Sequence, residues 1–309
     1  MKGPFFFAKI LLFGEYGIIK DSKGLSIPFN FFRGTLRCVE KENEATRISH
    51  QILCDYTKYL KSLPEYLLRL DWEALQTDLD CNLYFDSSIP QGYGVGSSGA
   101  LVAALYERYA LDKILPEAKT NPEKLLVLKS IFADMESYFH GQSSGLDPLK
   151  SYLSLPLLIH SNDKIETTEL TIQNANGKGA VFLLDSGITG ETAPMVYLFM
   201  KNMKEEGFSR MMREEFSQLT DRCVENFLNG NIKSFFCSMK PLSALVLKFF
   251  KPMIPEEFHG LWKKGLETNA YYLKLCGSGG GGYMLGFTKD FEIAQNALEG
   301  YRIEVVHYF

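Results

Sequence analysis

PQGYGVGSSGA, residues 90–100, is the most informative stretch of the chain, because it joins a glycine loop to the start of a helix. Glycines stand at every second position over residues 92–96, and a residue without a Cβ lets the backbone approach a ligand closely. The serine pair 97–98 then opens a segment with apolar residues at helical spacing. The free N–H groups of such a helix start form an anion site that phosphate commonly occupies. The loop lacks the Lys of a Walker A motif and the glycine spacing of a dinucleotide fingerprint, and a serine-capped turn is the plainer alternative.

A second glycine loop lies in KLCGSGGGGYMLGF, residues 274–287. Five of the six residues from 277 to 282 are glycine, a composition that is also common in flexible linkers. Apolar, strand-like residues stand directly on both sides, and linkers seldom join two strands without a spacer. The pattern therefore favours a loop that wraps a polar ligand or another backbone segment.

Candidate chemical groups lie in MESYFHGQSSGLD, residues 135–147, and near the N-terminus. Glu136 stands near the end of a predicted helix, and Asp147 follows a Gly/Ser loop. Phosphoryl transfer needs one carboxylate that holds Mg²⁺ and another near the attacking hydroxyl, although a solvated Glu and a turn Asp would look the same. Lys9 lies among apolar neighbours, so its ammonium must reach a polar cleft, a carboxylate or, by snorkelling, the solvent.

The composition is that of a folded globular protein, with 309 residues and 46% hydrophobic residues. The 33 basic and 37 acidic residues argue against a nucleic-acid footprint. The six cysteines are scattered without a CxxC pair, which suits a reducing compartment and disfavours structural zinc. Lys9 and Glu15 interrupt the apolar N-terminus, and no segment is long enough to span a membrane. We expect a cytoplasmic protein with no nucleic-acid or membrane partner.

The order of elements indicates an α+β protein rather than a strictly alternating one. Its predicted strands cover residues 5–13, 25–32, 35–39, 82–89, 152–159, 166–172, 180–184, 271–276, 283–287 and the C-terminus. Predicted helices cover residues 50–63, 97–110, 123–138 and 291–298, and further helices fill most of the region from 185 to 270. The polar segment NANGKG, residues 174–179, is the predicted domain seam, which gives domains 1–177 and 178–309.

Together these segments resemble the three signature motifs of the GHMP kinase family, in the family's order. KILLFGEYGII resembles the first motif, PQGYGVGSSGA the second and KLCGSGGGG the third. Within the family the resemblance is to the mevalonate kinases, since residues 136–147 fit their E-x-x-x-H-G-x-x-S-G-x-D stretch at every fixed position. The resemblance extends over residues 9–282. It implies a ribosomal-S5-like N-terminal domain and a ferredoxin-like C-terminal domain, with ATP bound between them.

The resemblance also implies residue roles. Asp147 would accept the proton of the substrate hydroxyl, and Lys9 would balance developing negative charge. Glu136 and Ser98 would hold Mg²⁺, with Ser97 as the competitor of Ser98. The ATP-binding set would be Pro90, Gly92, Gly94, Gly96, Ser97, Ser98, Gly99, Gly277, Gly279 and Gly280, and the substrate set would be Glu15, Tyr16, Ser144 and Thr192. The partner would be a small hydroxyl substrate, and a homodimer stays open.

Three departures from the mevalonate kinase pattern lie on the expected substrate side. Tyr16 replaces a histidine, Gly190 stands where the family has an arginine, and a Gly-Gly pair is absent after Asp147. An acceptor with a carboxylate then needs another cation. The candidates are Lys20, Lys23, Arg33 and Lys150, of which Arg33 and Lys20 are nearest in sequence to the first motif.

The sequence favours mevalonate as the acceptor and leaves alternatives open. Phosphomevalonate kinase and other metabolite kinases of the family are the first. A diphosphomevalonate decarboxylase is disfavoured by the intact HGQSSGLD loop, and a sugar kinase by GEYGII. A catalytically silent ligand sensor is an alternative of a different class, but such a protein is expected to have lost one of Lys9, Ser98, Glu136 and Asp147.

Overall fold

The computed structural model describes residues 3–20, 22–39, 41–117, 121–161, 163–170 and 177–309, except for the side chain of Lys20. Half of the predicted seam, residues 174–176 of 174–179, lies outside the described residues, so the domain bounds 1–177 and 178–309 stay a prediction. By their internal contacts the residues divide into two compact units. The first unit comprises residues 1–9, 27–90 and 96–155, and the second comprises residues 10–26, 91–95 and 156–309.

The strands are β1 (Phe6–Phe13), β2 (Gly24–Cys38), β3 (Leu83–Ser87), β4 (Leu157–Ser161), β5 (Lys164–Thr167), β6 (Ala180–Asp185), β7 (Tyr272–Leu275), β8 (Tyr283–Thr288) and β9 (Ile303–Tyr308). The α-helices are α1 (Glu44–Leu60), α2 (Trp72–Asp80), α3 (Ser97–Tyr109), α4 (Pro122–His140), α5 (Leu146–Leu153), α6 (Thr192–Asn202), α7 (Glu206–Met211), α8 (Ser217–Leu228), α9 (Ile232–Phe249), α10 (Phe258–Thr268) and α11 (Phe291–Ala297).

In the first unit, helices α3, α4 and α5 pack together and bury an aromatic cluster. The rings of Tyr106, Phe132 and Tyr152 meet edge to face with centroids 5.0–5.6 Å apart, one ring from each helix. Such pairs add to the free energy gained by burying their apolar surface. The β2 residues 34–38 pair antiparallel with β3, which packs against α1.

The second unit contains an antiparallel sheet with the strand order β7-β8-β6-β9. With the helices α6–α10 between β6 and β7, and α11 between β8 and β9, the chain order is β-α-β-β-α-β, the ferredoxin-like arrangement. Phe13 packs on the rings of Phe227, Phe235 and Phe287 in the core of this unit. The start of β2 pairs with β4, and β4 pairs with β5. The predicted α+β class is confirmed.

Some of the predicted strands differ from the structure. Residues 152–159 do not form one strand, because α5 runs to Leu153 and β4 begins only at Leu157. Gly145, with φ +69°, starts α5, and a short apolar run after such a turn does not distinguish a strand from a helix. The two strands predicted over residues 25–32 and 35–39 form one strand, β2, that continues through Gly34.

Candidate active site

Lys9 and Asp147 form an ion pair in the first unit. The Nζ of Lys9 on β1 lies 2.9 Å from Oδ2 of Asp147 in the first turn of α5. The Lys9 side chain is 3% exposed, so its ammonium pairs with the carboxylate and does not snorkel to solvent. Asp147 keeps 37% of its side chain exposed, which leaves room for a small molecule to reach the carboxylate.

Two glycines of the 90–100 stretch allow this pair to form. Gly96 has φ +84°, and a Cβ there would lie 3.0 Å from the Cε of Lys9. Gly99 lies in the first turn of α3, where a Cβ would stand 2.7 Å from the carbonyl carbon of Asp147. Larger residues at either position would therefore push against Lys9 or against the start of α5. In the described residues no side chain forms a cap hydrogen bond at the start of α3. An anion site requires such uncapped N–H groups at a helix N-terminus.

Glu136 and Ser98 lie side by side in the same unit. Glu136 on α4 is 3% exposed, and its Oε1 accepts a hydrogen bond of 2.9 Å from Ser98 Oγ. Its Oε2 accepts one of 2.5 Å from Ser143 Oγ, and His140 Nε2 lies 3.0 Å from Ser98 Oγ. Ser97 is half-buried and shows no side-chain hydrogen bond to the residues that the structure describes, so the geometry favours Ser98 over Ser97 as the partner of Glu136.

The electrostatics of the two carboxylates differ. Burial raises the pKa of Glu136 to about 7, the charge of Asp147 adds to the rise, and hydrogen bonds from Ser143 and Ser98 oppose it. Burial would also raise the pKa of Asp147, but the ammonium groups of Lys9 and Lys150 outweigh it and lower that pKa to about 2. Asp147 is therefore ionised at neutral pH, whereas Glu136 without a bound cation is partly protonated.

Of the four candidate cations, Lys150 lies next to Asp147, with Nζ 3.4 Å from Oδ1 and 3% of the side chain exposed. Lys23 instead pairs with Glu225 in the second unit. Arg33 is exposed, with its guanidinium 4.1 Å from the ring centroid of Phe5. The side chain of Lys20 lies outside the described residues.

The glycine loop at residues 277–282 is closely packed inside the second unit. A Cβ on Gly94 would lie 2.4 Å from the carbonyl oxygen of Cys276, and one on Gly282 would lie 2.6 Å from the Cα of Tyr93. The amide of Gly280 donates to Met253 O at 2.7 Å. A Cβ on Gly279 would lie 2.7 Å from that same oxygen. The segment is therefore an ordered loop that wraps other backbone, as predicted, and not a linker.

Gly190 has a structural reason to lack a side chain. Its amide donates to the carbonyl of Gly92 at 3.0 Å. A Cβ at this position would lie 2.8 Å from Gly279 O, closer than a real contact permits. The arginine of the family pattern therefore does not fit this backbone, and the departure at position 190 follows from the packing of the two glycine loops within the second unit.

Three of the predicted substrate residues lie in the second unit. Glu15 pairs with Lys274 at 2.5 Å, both nearly buried, and Glu15 Oε1 has no hydrogen-bond partner among the described residues. The Tyr16 hydroxyl donates to Ser278 O at 2.7 Å, and its ring stacks on Phe199. The Oγ1 of Thr192 lies 3.4 Å from Ser278 Oγ, which ties it to the same glycine loop.

The other predicted residues lie in the loops that border these elements. In the first unit, Ser144 is exposed and its Oγ accepts a hydrogen bond from Leu146 N at 3.4 Å. Pro90 is half-buried in the loop after β3. In the second unit, Gly277 lies against Gly94, where a Cβ would be 3.0 Å from the Gly94 Cα.

Two polar residues of the site were not assigned a role from the sequence. Ser143, in the α4–α5 turn, donates to Glu136, and His140, at the end of α4, contacts Ser98 on α3. Both stand inside the HGQSSGLD motif, so their polar character near a candidate metal ligand is the signal that could have pointed to them.

Within the described residues no group of three or more His, Cys, Asp or Glu is arranged to hold a metal. None of the helices in this part of the chain is long and apolar enough to cross a membrane.

Comparison with known proteins shows which family part of the chain resembles. A family model described as "GHMP kinases N terminal domain" matches residues 59–154. These residues are therefore similar to the N-terminal domain of the GHMP kinases. No curated protein matches the chain by sequence.

Solved structures extend the likeness to the whole chain. Leishmania major mevalonate kinase in complex with R-mevalonate is similar with a TM-score of 0.65 and 17% identity, over 99% of this chain and 97% of that chain. Streptococcus pneumoniae phosphomevalonate kinase, in complex with phosphomevalonate and AMPPNP, gives a TM-score of 0.61 at 13% identity, over 98% and 99%. Lactococcus lactis galactokinase complexed with galactose gives 0.60 at 11%, over 98% and 92%. The chain therefore has the GHMP kinase fold, and the predicted two-domain fold class is confirmed.

Proposed function

We propose that the protein transfers the γ-phosphate of MgATP to the hydroxyl of a small metabolite. The observation that carries this proposal is the ion pair of Lys9 and Asp147, beside the hydrogen-bonded pair Ser98–Glu136. Phosphoryl transfer asks a protein mainly for positioning and for charge neutralisation, and these groups supply both. A catalytically silent sensor is the alternative of a different class; such a protein is expected to have lost one of these four groups, and all four are present in the sequence.

Asp147 would orient the acceptor hydroxyl and take its proton. A carboxylate with a pKa of about 2 is a weak base, so it does not deprotonate a free alcohol before transfer. It accepts a hydrogen bond from the hydroxyl and receives the proton as the new O–P bond forms and the oxygen loses electron density. Lys9, with its ammonium on the same carboxylate, would stabilise the negative charge that develops on the transferring group.

The phosphates of ATP would lie along the loop of residues 90–99. The α3 N-terminus supplies N–H groups from Ser97, Ser98 and Gly99, and Gly92, Gly94 and Gly96 leave the loop backbone uncovered by side chains. Pro90 begins the loop, and Gly277, Gly279 and Gly280 would support it. The phosphomevalonate kinase with the same fold holds AMPPNP, which supports ATP as the phosphate donor.

The residues present fit a magnesium ion. Glu136 is a buried carboxylate with a raised pKa, and a bound cation would lower that pKa and keep the group charged. Ser98 offers a second hard oxygen ligand. Mg²⁺ commonly uses one or two carboxylates plus substrate phosphates, so this set is sufficient. When bound, the ion would neutralise part of the phosphate charge. Ser143 and His140 would hold the two ligands in place.

We propose mevalonate as the acceptor, with 5-phosphomevalonate as the product in isoprenoid precursor synthesis. The complete E-x-x-x-H-G-x-x-S-G-x-D match around Asp147 supports this choice, as does the likeness to a mevalonate kinase that holds R-mevalonate. Glu15, Tyr16, Ser144 and Thr192 are the proposed substrate residues. Phosphomevalonate is the alternative, supported by a TM-score that is close to the mevalonate kinase value. The cytoplasmic location and the homodimer stay predictions.

A coupled assay of ADP release tests the function. The purified chain is supplied with MgATP and, in turn, with mevalonate, phosphomevalonate and galactose. We expect release with mevalonate, at least tenfold higher in kcat/KM than with phosphomevalonate, a difference of about 1.4 kcal/mol in transition-state stabilisation. A tenfold preference for phosphomevalonate would overturn the acceptor and leave the kinase activity intact. If none of these acceptors raised the rate of ADP release, the proposed function would be overturned.

A further inference from the structure

Lys150 is a buried cation at the candidate active site that the family motifs do not include. It lies one helical turn after Asp147 on α5, and its side chain is 3% exposed. Its Nζ is 3.4 Å from Oδ1 of Asp147, whereas the Nζ of Lys9 is 2.9 Å from Oδ2. The carboxylate is therefore held by one ammonium on each oxygen, from β1 on one side and from its own helix on the other.

Burial of the second ammonium, that of Lys150, costs free energy that its contacts must offset. One lysine is enough to balance one carboxylate, and burying a further ammonium is unfavourable unless it is paired and hydrogen-bonded. The solvent exposure of Lys9, Lys150 and Asp147 indicates which of the three groups a ligand can reach. Asp147 is 37% exposed and both lysines are 3% exposed, so a ligand would meet the carboxylate and not the Lys150 ammonium. A direct role for Lys150 as anchor of an acceptor carboxylate is therefore disfavoured.

We propose that Lys150 is a positioning residue for phosphoryl transfer, which fixes the orientation of the Asp147 carboxylate toward the acceptor hydroxyl; the proposal rests on the proposed function. With both oxygens held, the carboxylate cannot rotate about its Cβ–Cγ bond without losing an ion pair. The plane of the carboxylate, and with it the directions of its remaining lone pairs, is then fixed. Such orientation matters because small misplacements of a reacting group cost large factors in rate.

The charged and titratable groups around Asp147 define what a substitution at Lys150 changes. Lys9 faces it from β1, Glu136 and His140 influence it from α4, and Lys150 from α5 itself. Removal of Lys150 leaves the Lys9 ion pair intact. The carboxylate would then stay charged at neutral pH but would lose its fixed orientation.

The test uses Lys150→Met, which keeps most of the length of the side chain and removes its charge, and Lys150→Arg, which keeps the charge. A matched control is Lys58→Met, because Lys58 forms the same i,i+3 pair with Asp55 at 2.8 Å but is 75% exposed. We expect kcat with mevalonate to fall by ~10–10²-fold in Lys150→Met, with the ATP dissociation constant within twofold. Lys150→Arg should recover part of that loss, and Lys58→Met should match the wild type.

A second measurement separates this proposal from the function on which it rests. The protein is labelled with ¹³C at the aspartate carboxyls, and Asp147 is titrated by NMR in the unliganded wild type and in Lys150→Met. We expect its pKa to rise by a unit or more in the variant. If the wild type phosphorylates no acceptor, the proposed function fails, and this titration still tests the contact.

Either of two results overturns the proposal. One is a kcat of Lys150→Met within twofold of the wild type. The other is an unchanged pKa of Asp147, which would make any rate loss a merely structural effect. If Lys150→Met does not fold, Lys150→Gln is measured in its place with the same two outcomes.

Discussion

Asp147 is the residue on which the proposed chemistry depends. It lies in the first turn of α5, where a negative charge is favoured, and it contacts the buried ammonium of Lys9. The two residues are separated by well over a hundred positions in sequence. Composition and periodicity indicate each as a candidate, and only the family resemblance or the structure brings them together.

Asp147→Asn should keep the fold and ATP binding and lose turnover. The amide keeps the shape of the carboxylate but cannot take the hydroxyl proton, and loss of a general base commonly costs ~10²–10⁴-fold in rate. The measurements are kcat and the ATP dissociation constant, with Asp55→Asn, on the exposed face of α1, as the control. A variant that keeps more than about half of the wild-type kcat lies outside the expected range for a lost base and would exclude Asp147 from that role.

Ser98→Ala and Glu136→Gln should raise the Mg²⁺ concentration needed for the half-maximal rate. Glu136→Gln should have the larger effect, because it removes a formal charge from the ligand set. Titration of Mg²⁺ at fixed ATP gives the two values, and Ser97→Ala shows whether the competing serine is the ligand instead. An unchanged metal requirement in both variants would place the metal elsewhere.

The pKa of Glu136 predicts a pH-dependent stability for the metal-free and nucleotide-free protein. Its folded-state pKa of about 7 lies above the ordinary value of 4.5, so the folded protein holds a proton that the unfolded chain releases. The stabilisation is complete below pH 4.5 and is lost as the pH rises toward 7. We therefore expect Glu136→Gln to melt at a higher temperature than the wild type at pH 8, with a smaller difference at pH 5. Equal pH dependence in the two proteins would contradict the shift.

The glycine loops and α5 show what sequence predicts at the scale of elements. Both glycine loops, α3 and α4 follow directly from glycine spacing and helical periodicity. Helix α5 was not predicted, because its short apolar run follows a Gly/Ser loop and resembles a strand. Ser143 reaches its partner from the α4–α5 turn, His140 reaches Ser98 through the packing of α4 on α3, and Lys150 reaches Asp147 because α5 is helical. Local pattern does not specify these contacts.

Gly190→Ala tests the close packing of the glycine loops in the second unit. Its Cβ would lie 2.8 Å from Gly279 O, so the backbone must shift, and overpacking of this kind costs ~1–3 kcal/mol. Gly207→Ala is the matched control, since Gly207 lies in α7 with no atom within 4 Å of its added Cβ. We expect the melting temperature to fall for Gly190→Ala and to hold or rise for Gly207→Ala. The same response in both variants would mean that the loops adjust freely.

At the scale of the whole molecule, the order of elements predicts the α+β class, and the resemblance of the motifs to the GHMP kinase family predicts the two-domain fold. The β-α-β-β-α-β order of the second unit and the family match over residues 59–154 agree with the α+β prediction. The acceptor is a different matter, because kinases for mevalonate, phosphomevalonate and galactose share this fold at TM-scores of 0.60–0.65. The acceptor is selected by a few side chains, and a shared fold does not specify them.

Transfer of label from [γ-³²P]ATP to mevalonate is the most direct measurement of the proposed chemistry. The wild type and Asp147→Asn are incubated with labelled ATP, Mg²⁺ and mevalonate, and the labelled product is separated and quantified. We predict that the wild type moves the label to the mevalonate hydroxyl and that Asp147→Asn does so at least ~10²-fold more slowly. A wild type that binds ATP but labels neither mevalonate nor phosphomevalonate, or an Asp147→Asn variant that labels at the wild-type rate, would contradict it.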